Sequence, residues 1–330
     1  MGTKLFKTMN IDGVDQLVLA TSYSQIEAYL NCPYRWKLDY LLGKRESVSA
    51  EALNLGTAVH STLEDYFNGV KNGKEITLGE AHDMLDFNLD VNEIPYASKD
   101  NQVMAEQQHH AMIEGLVSGT NELAKFIEDK EVVACEKEFR LPVDLPFVVC
   151  YAGNKYSRIY INGFIDFIVK DKEGNIYVID FKSGNKLFQK KKLTENLQLK
   201  IYSLVVKMIY GRLPKGTMYY FTRHDTFQEV LPLAEQEEDR VYEFYKNGNV
   251  KTKGSLVSEV YDTMISIFRD QYELCKFNAN PTPICSWCQY SPWYGQTPIC
   301  TKAKFYQRKD IEMPKRKRTS LNTTQYKRGE

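Results

Sequence analysis

The chain has 330 residues, of which 43% are apolar and 12% aromatic, so it can bury a core in one large domain or two ordinary ones. Its 43 basic and 43 acidic residues cancel, which confines any nucleic-acid-binding surface to a local patch. No apolar run is long enough for a membrane span, and the N-terminus lacks the apolar core of a signal peptide. We therefore expect a cytoplasmic protein without a membrane partner, in the host cytoplasm if a phage encodes it.

The first half of the chain is expected to be mainly helical from residue 21 to residue 130, whereas the first 20 residues suggest no element. His60 and Glu64 lie four positions apart, on one face of a helix. Taken alone, His60 is most simply a packed, hydrogen-bonded histidine. His109 and His110 are adjacent in a polar run, and we interpret them as part of a solvated helix face.

The clearest functional signal is a predicted β-hairpin, in which two apolar runs flank a Gly-containing polar turn. If Lys170 pairs with Ile176, the antiparallel register sets Asp166 directly opposite Asp180. Lys182 shares the face of Asp180, because alternate residues of a strand point the same way. Two acids buried together are costly unless a cation neutralises them. The pattern therefore predicts a divalent-metal site with a lysine beside it.

A local basic cluster follows the hairpin and consists of Lys186, Lys190, Lys191 and Lys192. It is either a solvated loop or a phosphate contact beside the acidic site. An amphipathic helix comes next and ends at a glycine. Gln198 and Tyr202 lie four positions apart on one face of this helix.

The last third of the chain is expected to hold a second hairpin at 216–233 and helices near 234–247 and 255–276. The segment 313–330 is basic and polar, and we expect it to be disordered.

The seven cysteines are an odd number in a chain without a secretion signal, which argues against a disulfide framework. Cys285 and Cys288 form a C-x-x-C pair, and Cys300 follows. Thiolates suit zinc or an iron–sulfur cluster. Either Cys275, as part of a local zinc site, or the distant Cys32 can supply a fourth ligand.

Several short motifs occur in a known order. They are Gly56-Thr57-x-x-His60-x-x-Leu63-Glu64, Gly163-x-x-Asp166, Asp180-x-Lys182-Ser183-Gly184 and Gln198-x-x-x-Tyr202. Together they resemble the RecB-like branch of the PD-(D/E)xK nuclease superfamily, over nearly the whole chain. The run Cys32-Pro33-Tyr34-Arg35-Trp36 and the terminal cysteines resemble its iron–sulfur subgroup, which includes AddB-type nuclease domains and CRISPR-associated RecB-like exonucleases.

The resemblance implies a restriction-endonuclease-like α/β fold, with a mixed central sheet flanked by helices, a helical N-terminal insertion and a C-terminal cysteine cluster. We expect one nuclease domain over 1–312 and the disordered tail after it. Within that domain the mainly helical part is 21–130, the sheet core with the active site is 131–232, and helices with an iron–sulfur clasp occupy 233–312.

The resemblance also implies the roles of individual residues. Mg²⁺ or Mn²⁺ would be bound by His60, Asp166, Asp180 and the Phe181 carbonyl. The catalytic residues would be Asp166, Asp180, Lys182, Gln198 and Tyr202. The residues that contact DNA would be Tyr202, Lys190, Lys191 and Lys192. A 4Fe–4S cluster would be held by Cys32, Cys285, Cys288 and Cys300. Glu64 is available for a second metal, and the long gap before Cys300 departs from the family pattern and keeps Cys275 open.

The implied function is a metal-dependent deoxyribonuclease, more an exonuclease than an endonuclease, acting on DNA with a single-stranded end in processing, recombination or repair. The chain shows no phosphate-binding G-x-x-x-x-G-K-[ST] motif, so any ATP-driven unwinding must come from a helicase or recombination partner. The alternative is a non-catalytic DNA-binding or scaffold subunit of a nuclease–helicase or CRISPR adaptation complex. The intact Asp166, Asp180 and Lys182 argue against that alternative. A zinc-stapled α/β protein with unrelated chemistry is a third possibility.

Overall fold

The computed structural model describes the chain in six stretches, namely residues 5–45, 51–151, 153–230, 245–246, 254–291 and 299–302. The chain divides into two compact units, 1–278 and 279–330. The predicted basic tail and nearly all of the predicted helix at 234–247 lie outside the described residues. The extent of a single domain over 1–312 stays a prediction.

Seven strands form one mixed sheet in the described part of the first unit. They are β1 (Phe6–Ile11), β2 (Val14–Thr21), β3 (Glu131–Tyr151), β4 (Asn154–Lys170), β5 (Ile176–Lys182), β6 (Gly216–Phe221) and β7 (Thr226–Glu229). The order is β1-β2-β4-β5-β6-β7, and β3 pairs with β4. The pairs β2/β4 and β5/β6 are parallel, and the other pairs are antiparallel. The mixed sheet and the second hairpin agree with the predictions.

Strands β1 and β2 were not predicted, although their signal is in the sequence. Asp12 and Gly13 form the two-residue turn between them, with φ of 50° and 85°. Such a turn needs positive φ at both positions, and an Asp-Gly pair between apolar residues is its usual sequence.

The long strand β4 creates a gap in the sheet beside the predicted site. β3 pairs with it along nearly its whole length, so β2 and β5 must share its other edge. β2 reaches Ile161, and β5 begins its pairing at Phe167. Among the described strands, none pairs with residues 162–166 on that edge. The carboxyl ends of β2 and β5 both point toward this edge gap, which residues 162–166 define.

Helices cover both faces of the sheet. They are α1 (Tyr23–Asn31), α2 (Pro33–Trp36), α3 (Glu51–Lys71), α4 (Leu78–Val91), α5 (Lys99–Val117), α6 (Glu122–Ile127), α7 (Lys190–Glu195), α8 (Gln198–Tyr210) and α9 (Thr263–Phe268). Single π-helical turns follow α2 and flank α9, and a 3₁₀ turn (Pro283–Trp287) lies in the second unit. One apolar core lies between the sheet and α3–α6, and another between the sheet and α1, α8 and α9. This is the predicted restriction-endonuclease-like α/β fold.

No helix in the described ranges combines the length and apolarity needed to cross a bilayer.

The predicted hairpin register between β4 and β5 is confirmed, since Lys170 pairs with Ile176. The turn is closed by Asp171, whose Oδ1 accepts the Asn175 N–H at 2.7 Å. Gly174 supplies the left-handed backbone that the turn needs, with φ of 82°. Because local turn chemistry and the apolar pattern agree, this register could be read from the sequence alone.

The predicted solvated face of α5 is wrong for His109. Its side chain is fully buried, with Nδ1 2.8 Å from the Ala105 carbonyl oxygen and Nε2 3.1 Å from Thr222 Oγ1. His110 lies nearer the surface, 3.0 Å from the Asp86 carboxylate. Sequence spacing cannot show that α5 packs against the turn after β6, and that packing is what buries His109.

Candidate active site

Asp166 and Asp180 lie where the pairing of β4 with β5 gives way to the edge gap. Both side chains are buried. Asp166 Oδ2 accepts the backbone N–H of Phe181 at 2.8 Å. The Asp166 side chain thus contacts β5 where the backbone pairing ends, and this hydrogen bond holds its carboxylate close to Asp180.

The Asp180 carboxylate is only partly satisfied. Both oxygens are buried, and neither accepts a well-aligned hydrogen bond from a described residue. The Lys182 ammonium forms an ion pair with its Oδ2. A carboxylate offers about four acceptor positions, so this arrangement leaves most of them unfilled. Hard divalent cations take carboxylate oxygens of this kind, and the donor set therefore fits Mg²⁺ or Mn²⁺.

Helix α3 brings His60 to the same acids. Its Nε2 lies 3.0 Å from the Phe181 carbonyl oxygen, and its Nδ1 lies 3.5 Å from both Asp166 Oδ2 and Glu136 Oε1. Burial alone lowers the pKa of this imidazole, but the negative charges of Asp166, Glu136 and Asp180 outweigh it and raise the pKa to about 9. The imidazolium thus supplies positive charge beside the three acids.

Two further groups respond to the same charges. Burial, and then the negative charge of Asp180, raise the pKa of the Asp166 carboxyl above its ordinary value. Burial lowers the pKa of the Lys182 ammonium, but Asp180 and Asp166 more than compensate, and the net shift is upward. The two acids therefore favour the charged form of Lys182.

Glu136 carries no sequence signal of a role, yet its carboxylate joins the cluster. Its φ of 44° is uncommon for a residue with a side chain. Ala134 and Phe139 contribute to the same core although five positions separate them, an odd spacing that a regular strand would put on opposite faces. The kink at Glu136 thus reverses the alternation of β3 and turns this side chain toward His60. Ligand atoms of His60, Glu136 and Asp166 lie within 4.8 Å of one another.

Helix α8 places two predicted residues beside Lys182. Lys182 Nζ donates to Gln198 Oε1 at 3.2 Å, and Gln198 Nε2 donates to Tyr202 OH at 3.2 Å. Lys182 Nζ also lies 5.3 Å from the centre of the Tyr219 ring. The position of the ammonium group is therefore fixed by direct contacts with Asp180, Gln198 and Tyr219. Tyr202 contributes indirectly, through its hydrogen bond with Gln198. Tyr202 is nearly fully buried, and its predicted DNA contact stays a prediction.

Two clefts reach these residues. One, of about 450 Å³, is lined by His60, Glu64 and Glu136. The other, of about 600 Å³, is lined by Lys182, Gln198 and residues of β4 and α1. Glu64, the candidate ligand of a second metal, thus lies in the His60 cleft, where burial and then the Glu136 charge raise the pKa of its carboxyl.

The amino-acid sequence matches a family model over most of its length. The model of the PD-(D/E)XK nuclease superfamily matches residues 20–293. The chain belongs to this superfamily. It is 23% identical over 275 residues to a subunit of the ATP-dependent helicase/deoxyribonuclease of Alkaliphilus oremlandii (strain OhILAs). It is 22% identical over 267 residues to the subunit of the same name from Clostridium perfringens (strain SM101 / Type A). Each match covers 73% of this chain but only 22% of the relative, so the chain spans about a fifth of the length of these curated relatives.

Three lysines of the predicted basic cluster lie on α7 and differ in their surroundings. Lys192 lines the larger cleft, with Nζ 4.1 Å from the centre of the Phe188 ring. Lys191 is exposed, 4.0 Å from the Glu195 carboxylate. Lys190 is exposed at the start of the helix. Lys192 is therefore the member of the cluster that borders a candidate site.

The predicted iron–sulfur ligands fall in different units of the chain. Cys32 lies between α1 and α2 in the first unit, and the other three lie in the second. There the Cys288 N–H donates to the Cys285 carbonyl at 3.3 Å, and the Cys300 N–H donates to the Tyr290 carbonyl at 3.0 Å. The backbone thus returns to within two residues of Cys288 despite the long gap before Cys300. The cluster itself stays a prediction.

Proposed function

We propose that this chain is a Mg²⁺- or Mn²⁺-dependent deoxyribonuclease that acts as an exonuclease on DNA with a single-stranded end, in DNA processing, recombination or repair. One observation carries the proposal. Asp166, Asp180 and Lys182 meet at the edge gap, and the buried Asp180 carboxylate has unfilled acceptor positions in the described structure. Membership of the nuclease superfamily supports it.

The proposed ligands of the cation are His60, Asp166, Asp180 and the Phe181 carbonyl, with Glu136 as an addition from the structure. A bound cation neutralises charge on the phosphodiester and lowers the pKa of water. His60 must give up its proton to become a ligand, because only neutral imidazole binds metals. Cation binding should therefore release a proton near neutral pH.

Lys182 is the proposed electrostatic partner of the reacting phosphate. Asp180 and Asp166 favour its charged form, and the ion pair with Asp180 and the hydrogen bond to Gln198 hold it in place. A donor fixed in advance stabilises developing negative charge without reorganising at the moment of reaction. Gln198 and Tyr202 then act through Lys182, by fixing its position.

A helicase or recombination partner is proposed as the source of single-stranded ends. The relatives are named for both a helicase and a deoxyribonuclease, and this chain matches about a fifth of their length. The partner stays a proposal for this chain.

The test is digestion of end-labelled single- and double-stranded DNA with Mg²⁺ or Mn²⁺, using the wild type, Asp180→Ala and Lys182→Ala. We expect metal-dependent release of nucleotides from linear DNA, none from circular DNA, and loss of cleavage in both variants. Full activity in either variant would overturn the assigned site. A folded wild type that binds DNA but leaves it intact with both metals would favour the scaffold alternative.

A further inference from the structure

The larger cleft contains an exposed aromatic side chain beside the proposed catalytic residues. Phe164 lies in the edge gap of β4, two positions before Asp166, and 51% of its surface is exposed. The cleft that it lines continues to Lys182 and Gln198. A single exposed phenylalanine is common on protein surfaces, so its surroundings must decide whether it has a role.

Phe164 is held on a rigid strand. The preceding residue, Gly163, fits closely over the buried Phe139 ring, since a Cβ at Gly163 would come within 3.1 Å of it. Phe139 in turn packs edge-on against Tyr202, with ring centres 5.8 Å apart. The backbone beneath Phe164 is therefore fixed by the core, and its ring is presented to the cleft in advance of binding.

The other residues of the cleft suit a nucleic-acid strand. Polar neutral side chains line it at Ser22, Ser24, Asn162 and Asn196, and Lys192 adds a positive charge. Among the residues that line the cleft, Glu27 is the one acid. Hydroxyl, amide and ammonium groups contact phosphates and sugars, and aromatic rings stack on bases that have left their duplex partners.

We propose that this cleft binds single-stranded DNA and that Phe164 stacks on one of its bases, close to the bond presented to Lys182. The inference deepens the proposed function and rests on it for the choice of DNA as ligand. A base inside a duplex has both faces covered by its neighbours, so it cannot stack on Phe164. The ring therefore makes the cleft selective for an unwound strand.

The test measures stacking without cleavage. Single-stranded oligonucleotides carrying the fluorescent base 2-aminopurine at successive positions are titrated with protein in EDTA, which removes divalent cations. In wild type we expect quenching at one position, because a stacked 2-aminopurine loses fluorescence. Phe164→Ala should lose that quenching and bind about 5- to 150-fold more weakly, the range for one base–aromatic stack. Phe164→Trp should restore both.

Two controls separate stacking from a general loss of apolar surface. Phe87, on α4, is 66% exposed and does not line the cleft, so Phe87→Ala should bind like wild type. An oligonucleotide with an abasic site at the quenched position should bind wild type and Phe164→Ala equally. Thermal melting checks that each variant is folded.

The possible outcomes are distinguishable from those for the nuclease proposal. The inference would be overturned if the Phe164→Ala protein binds single-stranded DNA as tightly as wild type, quenches 2-aminopurine as strongly and keeps the same preference for single strands. That conclusion would hold even if wild type cleaves DNA. Loss of quenching in Phe164→Ala with no cleavage by wild type would support the inference while the nuclease proposal failed. Equal losses in Phe164→Ala and Phe87→Ala would also overturn it.

Discussion

Three acidic side chains, Glu136, Asp166 and Asp180, face two basic ones, His60 and Lys182, around the proposed cation site. The two basic groups offset part of the negative charge, since both have raised pKa values. Asp180 keeps unfilled acceptor positions among the described residues. In the proposed site a divalent cation would replace the His60 proton and would keep the charge of the acids balanced.

Glu136 gives a residue-scale prediction. Glu136→Gln removes the charge of a proposed ligand that also lies beside His60 Nδ1, and losing even a group that only orients a metal-binding histidine changes metal affinity by about 10- to 100-fold. We expect cleavage to need correspondingly more Mn²⁺, with stability unchanged or slightly higher. The matched control is Glu138→Gln, two positions along the same strand, where the acid pairs with Arg140 at the surface. Equal Mn²⁺ dependence in both variants would rule out a role for Glu136.

Lys182 gives a second prediction, on stability. Lys182→Ala leaves Asp180 buried without its ion-pair partner, and breaking a buried pair costs about 3 to 5 kcal/mol. We expect the variant to melt well below wild type in EDTA and to recover with Mn²⁺, which replaces the missing positive charge. In Lys170→Ala, which breaks an exposed pair with Glu131, the loss should be under about 1 kcal/mol and independent of metal. A Lys182→Ala protein that Mn²⁺ does not stabilise would contradict the cation site.

At the scale of elements, α5 supports the end of β5 through one buried chain of contacts. His109 touches Thr222 Oγ1, and the Thr222 N–H donates to the Lys182 carbonyl at 3.0 Å. The helix on one side of the sheet thus helps to fix the strand end that carries Lys182. His109 acts here as a structural residue, through Thr222.

The buried His109 predicts how stability depends on pH. Burial lowers its pKa to about 4, against about 6.5 in an unfolded chain. Between these values the unfolded chain binds a proton that the folded protein does not. Stability is therefore fully present above about pH 6.5 and falls as the pH drops toward 4, by up to about 3 kcal/mol.

Urea unfolding at pH 7 and pH 5 checks this dependence. His109→Gln should be less stable at pH 7 but should lose less of its stability on acidification than wild type does. His110→Gln, which removes the neighbouring imidazole nearer the surface, is the control for losing a histidine from α5. If His109→Gln and wild type lose equal stability between the two pH values, His109 is not the group responsible.

At the scale of the whole molecule, the sequence predicted what local patterns determine. The β4–β5 register followed from the turn and from apolar alternation, and it brought Asp166 to Asp180. The sequence could not show that Glu136 belongs to the site. Glycine or asparagine would indicate left-handed backbone within a strand, but a glutamate does not. His109 was misjudged because its burial depends on Thr222, more than a hundred residues away. The Asp12-Gly13 turn is different, because its sequence does indicate a hairpin between β1 and β2 that we did not predict.

The cysteines give the remaining prediction at this scale. Cys288→Ala should yield colourless protein without iron and with a lower melting temperature, because metal binding contributes folding free energy. If Cys32 is the fourth ligand, Cys32→Ala should also lack iron and melt at a lower temperature, whereas Cys275→Ala should keep its iron. Cys150→Ala, an exposed cysteine on β3, is the control. Elemental analysis decides the metal, and zinc in wild type, or iron retained in Cys288→Ala, would contradict the iron–sulfur assignment.

The central claim is that the acids at the edge gap bind the cation that DNA cleavage requires. The most direct test measures Mn²⁺ binding and single-stranded DNA cleavage on the same preparations of wild type and Asp180→Asn. We predict that wild type binds Mn²⁺ and cleaves, and that Asp180→Asn loses both together while remaining folded. Cleavage that survives in Asp180→Asn, or Mn²⁺ binding that is unchanged in it, would rule out this cation site.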